Sequence, residues 1–168
     1  MRSPLVYLIF AFGFAGSFSS CSESQNARVK SIVENDDVNA LRNVIESEIK
    51  REKHGLGVIN IALRKALEKE QADASNAARV TLLTKALHAL AQKNIRDRQS
   101  VPTLIDALEK QIWMPDTFYA ADTLRLITGV DTGYTLSFVD SYKSDNETER
   151  KMMIVRWKEW WKENQQKP

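Results

Sequence analysis

The sequence predicts an all-α protein built from antiparallel helix pairs. Three observations carry that expectation. From residue 27 onward, apolar residues recur every three or four positions, the period of a helix with one buried face. No stretch alternates apolar and polar residues long enough to be a strand. The periodic segments are joined by short polar connections, which favour antiparallel neighbours.

Each element is justified by its own signals. A short first helix is expected over Ala27–Glu34. A second follows from Asp37 to Lys53, with Val38, Leu41, Val44, Ile45 and Ile49 on one side and Asp36 or Asp37 as its N-cap. His54-Gly55 and Gly57 are expected to break it. The next carries Val58, Ile59, Ala62, Leu63, Ala66 and Leu67. Ser75 can cap a helix that buries Val80, Leu83, Ala86, Leu87, Leu90 and Ala91. Ser100 can cap another, with Pro102 near its start, where a missing N–H is harmless. Its apolar set is Val101, Leu104, Ile105, Leu108 and Ile112. Pro115 and Asp116 open a helix with Phe118, Ala121, Leu124 and Ile127, closed by Gly129 as a C′ residue at positive φ. Asp145 or Asn146 opens the last, which carries Met153, Trp157, Trp160 and Trp161.

Composition narrows the function classes. The chain has 168 residues, 24 Lys plus Arg and 22 Asp plus Glu, for a net charge of +2. A dedicated nucleic-acid binder would need a basic excess, so none is expected. A single cysteine excludes an internal disulfide framework and a thiolate-rich metal site. Neither His54 nor His88 has a second histidine or a cysteine at ligand spacing, and no cofactor or metal is expected. His54 beside Gly55 reads as a helix-end residue, His88 as a mid-helix residue between Leu87 and Leu90. No strand–turn–helix nucleophile elbow is present. Thr128-Gly129-Val130-Asp131-Thr132-Gly133-Tyr134 lacks the frame and the lysine of a phosphate-binding loop. The chain is therefore expected to be non-catalytic.

The N-terminus reads as an address. Arg2 precedes an apolar run from Leu5 to Gly16, and small residues follow it. That run would span about 18 Å as a helix, short of a hydrocarbon core of roughly 30 Å. Charge, short apolar run and small residues together are the order of a secretory signal peptide over 1–20. Phe18-Ser19-Ser20-Cys21 resembles the lipobox of bacterial lipoproteins, with Phe18 where the family usually has Leu. The resemblance implies cleavage before Cys21 and acylation of that residue. Two plainer readings use the same residues: ordinary cleavage near Ser20 leaving a free thiol, and an uncleaved anchor. In the lipoprotein family an Asp after the cysteine signals inner-membrane retention. Ser22 at that position leans toward the outer membrane and the periplasm. Residues 21–26 read as a polar tether, 27–164 as the helical domain and 165–168 as a disordered tail.

Two later stretches resemble a known family. Ile95-Arg96-Asp97-Arg98-Gln99-Ser100-Val101-Pro102-Thr103-Leu104-Ile105-Asp106-Ala107-Leu108 is similar to the link and first helix of a HEAT repeat. There, Asp97 can bond exposed turn amides, and Val101, Leu104, Ile105 and Leu108 would enter the stack. Leu124-Arg125-Leu126-Ile127-Thr128-Gly129-Val130-Asp131-Thr132-Gly133-Tyr134, followed by Arg156-Trp157-Lys158-Glu159-Trp160-Trp161, resembles the C-terminal end of HEAT-like exported bacterial proteins. Ile127 replaces the usual Leu, and residues 136–148 are longer and more polar than the family's link. The resemblance implies an α-solenoid of about three helix pairs plus a capping helix. It implies a scaffold that binds a protein or another cell-envelope component.

Trp157, Trp160 and Trp161 share one helical face and admit two roles. They can cap the end of the stack, with Asp131 or a turn carbonyl accepting an indole N–H, or they can form a platform for carbohydrate or cell wall. Tyr134, Phe138 and Tyr142 recur every fourth residue and suggest a short helix in the linker, for packing or for recognition.

Overall fold

In the computed structural model, residues 17–69, 73–110, 114–131 and 147–166 are described. The expected signal segment before residue 17, the expected linker helix with Tyr134, Phe138 and Tyr142, Gly133 and residues 167–168 lie outside them. Seven helices account for the described elements: α1 (Ser17–Val33), α2 (Val38–Lys50), α3 (Lys53–Glu68), α4 (Ala74–Gln92), α5 (Val101–Glu109), α6 (Met114–Thr128) and α7 (Glu147–Asn164). A 3-10 turn, Arg98–Ser100, leads into α5. No strand occurs among the described residues, and the helices pack against one another as an all-α fold.

Several elements start or stop elsewhere than the sequence signals suggest. α1 begins at Ser17, so residues 21–26, read as a tether, are helical. That segment contains no Gly or Pro to stop a helix, and Gln25 lies against Gly57 of α3. His54, Gly55 and Gly57 do not break a helix; they sit in the first turns of α3, where His54 is exposed. The break comes earlier, at Arg51 and Glu52, and Glu52 takes a left-handed φ of 52° to make the corner. Asp37 caps α2 by accepting the amides of Asn39 and Ala40. Asp73, not Ser75, caps α4, and accepts the amide of Ser75. Ser100 holds the N-cap position of α5 without a side-chain bond. Asp97 accepts the amide of Gln99, the turn bond expected of it. Gly129 closes α6 at φ +72°, its N–H bonded to the Arg125 carbonyl. Asp145 and Asn146 lie outside the described residues, and α7 begins at Glu147.

The helices contact one another in a fixed order. α1 packs on α3, α3 on α5 and α5 on α7, while α2 packs on α4 and α4 on α6. Contacts between α3 and α4, and between α5 and α6, join these two series. Directions follow from the bonds. The Lys69 ammonium, just past α3, donates to the carbonyl of Val33 at the end of α1 at 3.1 Å. Lys110, just past α5, donates to the carbonyl of Leu67 near the end of α3 at 2.8 Å. So α1, α3 and α5 end together. Arg150, in the first turn of α7, donates to the carbonyl of Leu108 near the end of α5. Arg98, before α5, donates to the carbonyl of Asn164 at the end of α7. α7 therefore runs opposite to α5.

The core is one apolar cluster fed by every helix, from Val29 and Ile32 of α1 through Leu63, Leu83, Leu104 and Leu124 to Met153 and Trp157 of α7. Two polar groups enter it deliberately paired. Asn76 and Arg79, one turn apart at the start of α4, are 0% and 1% exposed. Arg79 donates to the carbonyls of Ile32 and Asn35 and to the side chains of Asn76 and Asp36. Asn76 donates to the carbonyl of Ala66. One buried pair thus holds the ends of α1 and α3 against the start of α4. Burying such groups is tolerable only because their donors are matched.

At the α2–α3 corner, Glu48 is buried and takes a two-pronged ion pair from Arg28 of α1. A Cβ on Gly55 would lie 1.8 Å from the Glu48 carbonyl oxygen. The corner therefore closes only over a bare Cα. At Gly57 the nearest atom would be the end of the Gln25 side chain, at 3.4 Å. Gly55→Ala is expected to cost about 3 kcal/mol in a urea titration despite its better helix propensity. Gly57→Ala should be neutral or stabilising by up to ~1 kcal/mol.

Candidate functional site

The most developed polar and aromatic cluster lies where α4 faces α6. His88 is buried on α4, and its Nε2 is 2.8 Å from Oδ2 of Asp122 on α6. The other oxygen of Asp122 receives Arg125 through Nε and Nη2, at 3.0 and 2.7 Å. Tyr119 meets the imidazole edge-on, with centroids 5.2 Å apart, and Phe118 stands edge-on to Tyr119. The Lys85 ammonium lies 5.3 Å from the Tyr119 ring centroid. Helical spacing explains the assembly: Lys85 and His88 share a face of α4, and Phe118, Asp122 and Arg125 share a face of α6. Lys85 and Arg125 are exposed, while Phe118, Tyr119 and Asp122 are half-buried.

Burial by itself would raise the Asp122 carboxyl, but the hydrogen bonds from His88 and Arg125 outweigh it and hold the group below the usual carboxylate range. The cluster is a charged link between two helices, edged by an aromatic ring and two cations. Among the described residues, no group of three or more His, Cys, Asp or Glu side chains could hold a metal ion. Sequence reasoning left His88 without a partner, because a pair 34 residues apart exists only once α4 and α6 are neighbours.

The tryptophan group sits on α7, at the end of the α1–α3–α5–α7 series. Trp157 is 1% exposed and belongs to the core. Trp160 and Trp161 are half-buried against it. Trp157 and Trp160 meet edge-to-face at 5.9 Å, and the Arg98 guanidinium lies 5.6 Å from the Trp160 centroid. Among the described residues the Trp157 Nε1 finds no acceptor, neither Asp131 nor a turn carbonyl. Cys21 lies on α1, eight residues before Val29, the first core residue of the chain among those described. Among the described residues, no helix is long and apolar enough to cross a membrane.

No protein-family model matches the chain, and no curated protein or solved structure matches it either.

Two outcomes test this geometry. Asp122 has a lowered carboxyl pKa, so its contribution to stability is present above the unfolded value near ~3.9 and is lost as pH falls through the folded value. Asp122→Asn should therefore lower stability by roughly 1 kcal/mol near neutral pH, with parent and variant converging in acid. Thermal melts across a pH series read this directly. Trp157→Ala should cost about 3–5 kcal/mol, whereas Trp157→Phe should cost about 1–2, because the lost N–H has no partner to miss it.

Proposed function

We propose that the chain is a non-catalytic scaffold of the bacterial cell envelope, held to a membrane by acylated Cys21, whose helices stack in the manner of HEAT repeats. The reading is carried by the order of contacts, in which each helix packs on the one two places along the chain. A unit of two helices, repeated and stacked, has that order. The matching donors Lys69 and Lys110, each just past a helix of the same series, support the repeat. So does the Asp97–Pro102 link into α5, which resembles a HEAT-repeat turn. α7 runs against the direction of α5, which suits a terminal cap rather than a further repeat.

In this reading no side chain makes or breaks bonds. The scaffold works by surface complementarity, and the anchor raises its local concentration at the membrane. Several acyl chains on one residue would hold it firmly where a single chain holds only weakly. The α4–α6 edge with Lys85, Tyr119 and Arg125 offers cations and an aromatic ring to a protein or envelope partner. Buried Trp157 leaves Trp160 and Trp161 to serve the carbohydrate alternative, which makes the scaffold the stronger reading.

The anchor is tested by Cys21→Ala in a bacterial host. Incorporation of labelled fatty acid should be lost, and with it the part of membrane association that resists a high-salt wash. A variant that stays membrane-bound and shows unchanged labelling would overturn the lipoprotein reading.

A further inference from the structure

The helix directions gather exposed cations at one end of the molecule. α2 ends where α3 begins, and the Arg79 bonds put the start of α4 beside the α1–α2 turn, so α4 ends near the α2–α3 corner. That end carries Lys50, Arg51, Lys53, Lys93 and Arg96, all exposed. None of the five meets a carboxylate, and Arg96 makes only a long 3.5 Å contact to the Ala91 carbonyl. Glu23, Glu52, Asp97, Asp131 and Glu163 are the acidic groups at that end, and Asp97 is engaged in capping. At the opposite end Lys69 and Lys110 donate to helix carbonyls among the exposed Glu34, Asp37, Glu68 and Asp73, so cations and carboxylates are mixed there. A chain with a net charge of only +2 thus gathers five exposed cations without a carboxylate partner at one end.

The N-terminus of α1 leaves from the basic end. Gln25 lies against Gly57, and Arg28 pairs with Glu48, two residues before Lys50. Cys21 is one helical turn beyond Gln25, about 6 Å along the axis. Whatever membrane element precedes or modifies Cys21 therefore emerges at the same end of the molecule as these cations.

We infer that the basic end, formed by the α2–α3 corner and the α4–α5 link, is a docking surface for anionic phospholipid headgroups that fixes the domain upright on the membrane. The inference rests on the anchored reading for the side on which the membrane lies. The helical continuation through residues 21–26 makes it an oriented attachment rather than a loose one.

The test uses the full chain, in its parent form and with Cys21→Ala, and vesicles of phosphatidylcholine alone or mixed equally with phosphatidylglycerol. Flotation should favour the anionic vesicles by at least roughly tenfold at low salt, and the preference should fade with added NaCl. It should persist in Cys21→Ala, because it belongs to the surface. A variant with Lys50, Arg51, Lys53, Lys93 and Arg96 all changed to Gln should lose it while keeping its helical circular dichroism. Glu34→Gln with Glu68→Gln should not. Hydrogen exchange on the anionic vesicles should slow at 50–54 and 93–96. Equal flotation on both vesicles, an unmoved five-site variant, or protection at 34–37 instead would overturn the inference. Loss of double-stranded oligonucleotide binding in that variant, with flotation unchanged, would also overturn it. Failure of the anchor is read separately, as unchanged acyl labelling in Cys21→Ala.

Discussion

The fold depends on satisfying the carbonyls at one end of its helices. The last turn of every α-helix leaves carbonyl groups without an intrahelical donor, and the partial negative charge of the dipole collects there. Where such an end packs against another helix, water reaches it poorly. The chain answers with cations from the neighbouring helix: Lys69 on α1, Lys110 on α3 and Arg150 on α5. Arg79 and Asn76 do the same work from inside the core. Each bond joins a helix to one that follows later in sequence, so capping and helix packing are achieved by the same contact.

This arrangement has an electrostatic consequence. Lys69 and Lys110 each donate to a helix carbonyl and keep their charge, so they sit among the acidic groups of their end, where Asp37 and Asp73 begin α2 and α4. At the other end of the molecule, α2 and α4 finish with Lys50, Arg51 and Lys93, as the helix dipole favours. The cluster of cations at that end is therefore the summed result of ordinary capping preferences in helices that turn at the same level.

Much of the architecture was legible in the residues. The apolar stripes of α2, α4, α5 and α6 could be read from spacing, because burial on one helical face imposes a local period. Asp37, Asp97 and Gly129 were legible for the same reason, since capping is a local interaction. Gly55 misled, because glycine is read as a breaker unless the tertiary neighbour is known; here it is the Glu48 carbonyl that demands it. Asn76 and Arg79 could have been found, since they continue the stripe of Val80 and Leu83 one turn earlier and a polar pair in that register must be buried. The His88–Asp122 pair could not, because nothing local says that α4 and α6 will be neighbours.

The helical fold is closed at the chain's two ends by different means. α1 buries Val29, Ile32 and Val33 and turns Ala27, Lys30, Ser31 and Glu34 outward, so its outer face is already polar. α7 arrives from the opposite direction to α5, covers it with Met153, Ile154 and Trp157, and presents Lys151, Arg156, Glu159 and Lys162 to solvent. The indole of Trp157 is the costly part of that solution, because its N–H is buried without an acceptor. The area it removes from water outweighs the cost: an indole burying about 150–250 Å² contributes about 4–6 kcal/mol, against roughly 1–3 for one unmatched donor, before edge-to-face contact with Trp160 is added. The choice of tryptophan there follows from the size of the gap to be covered rather than from any need for its nitrogen.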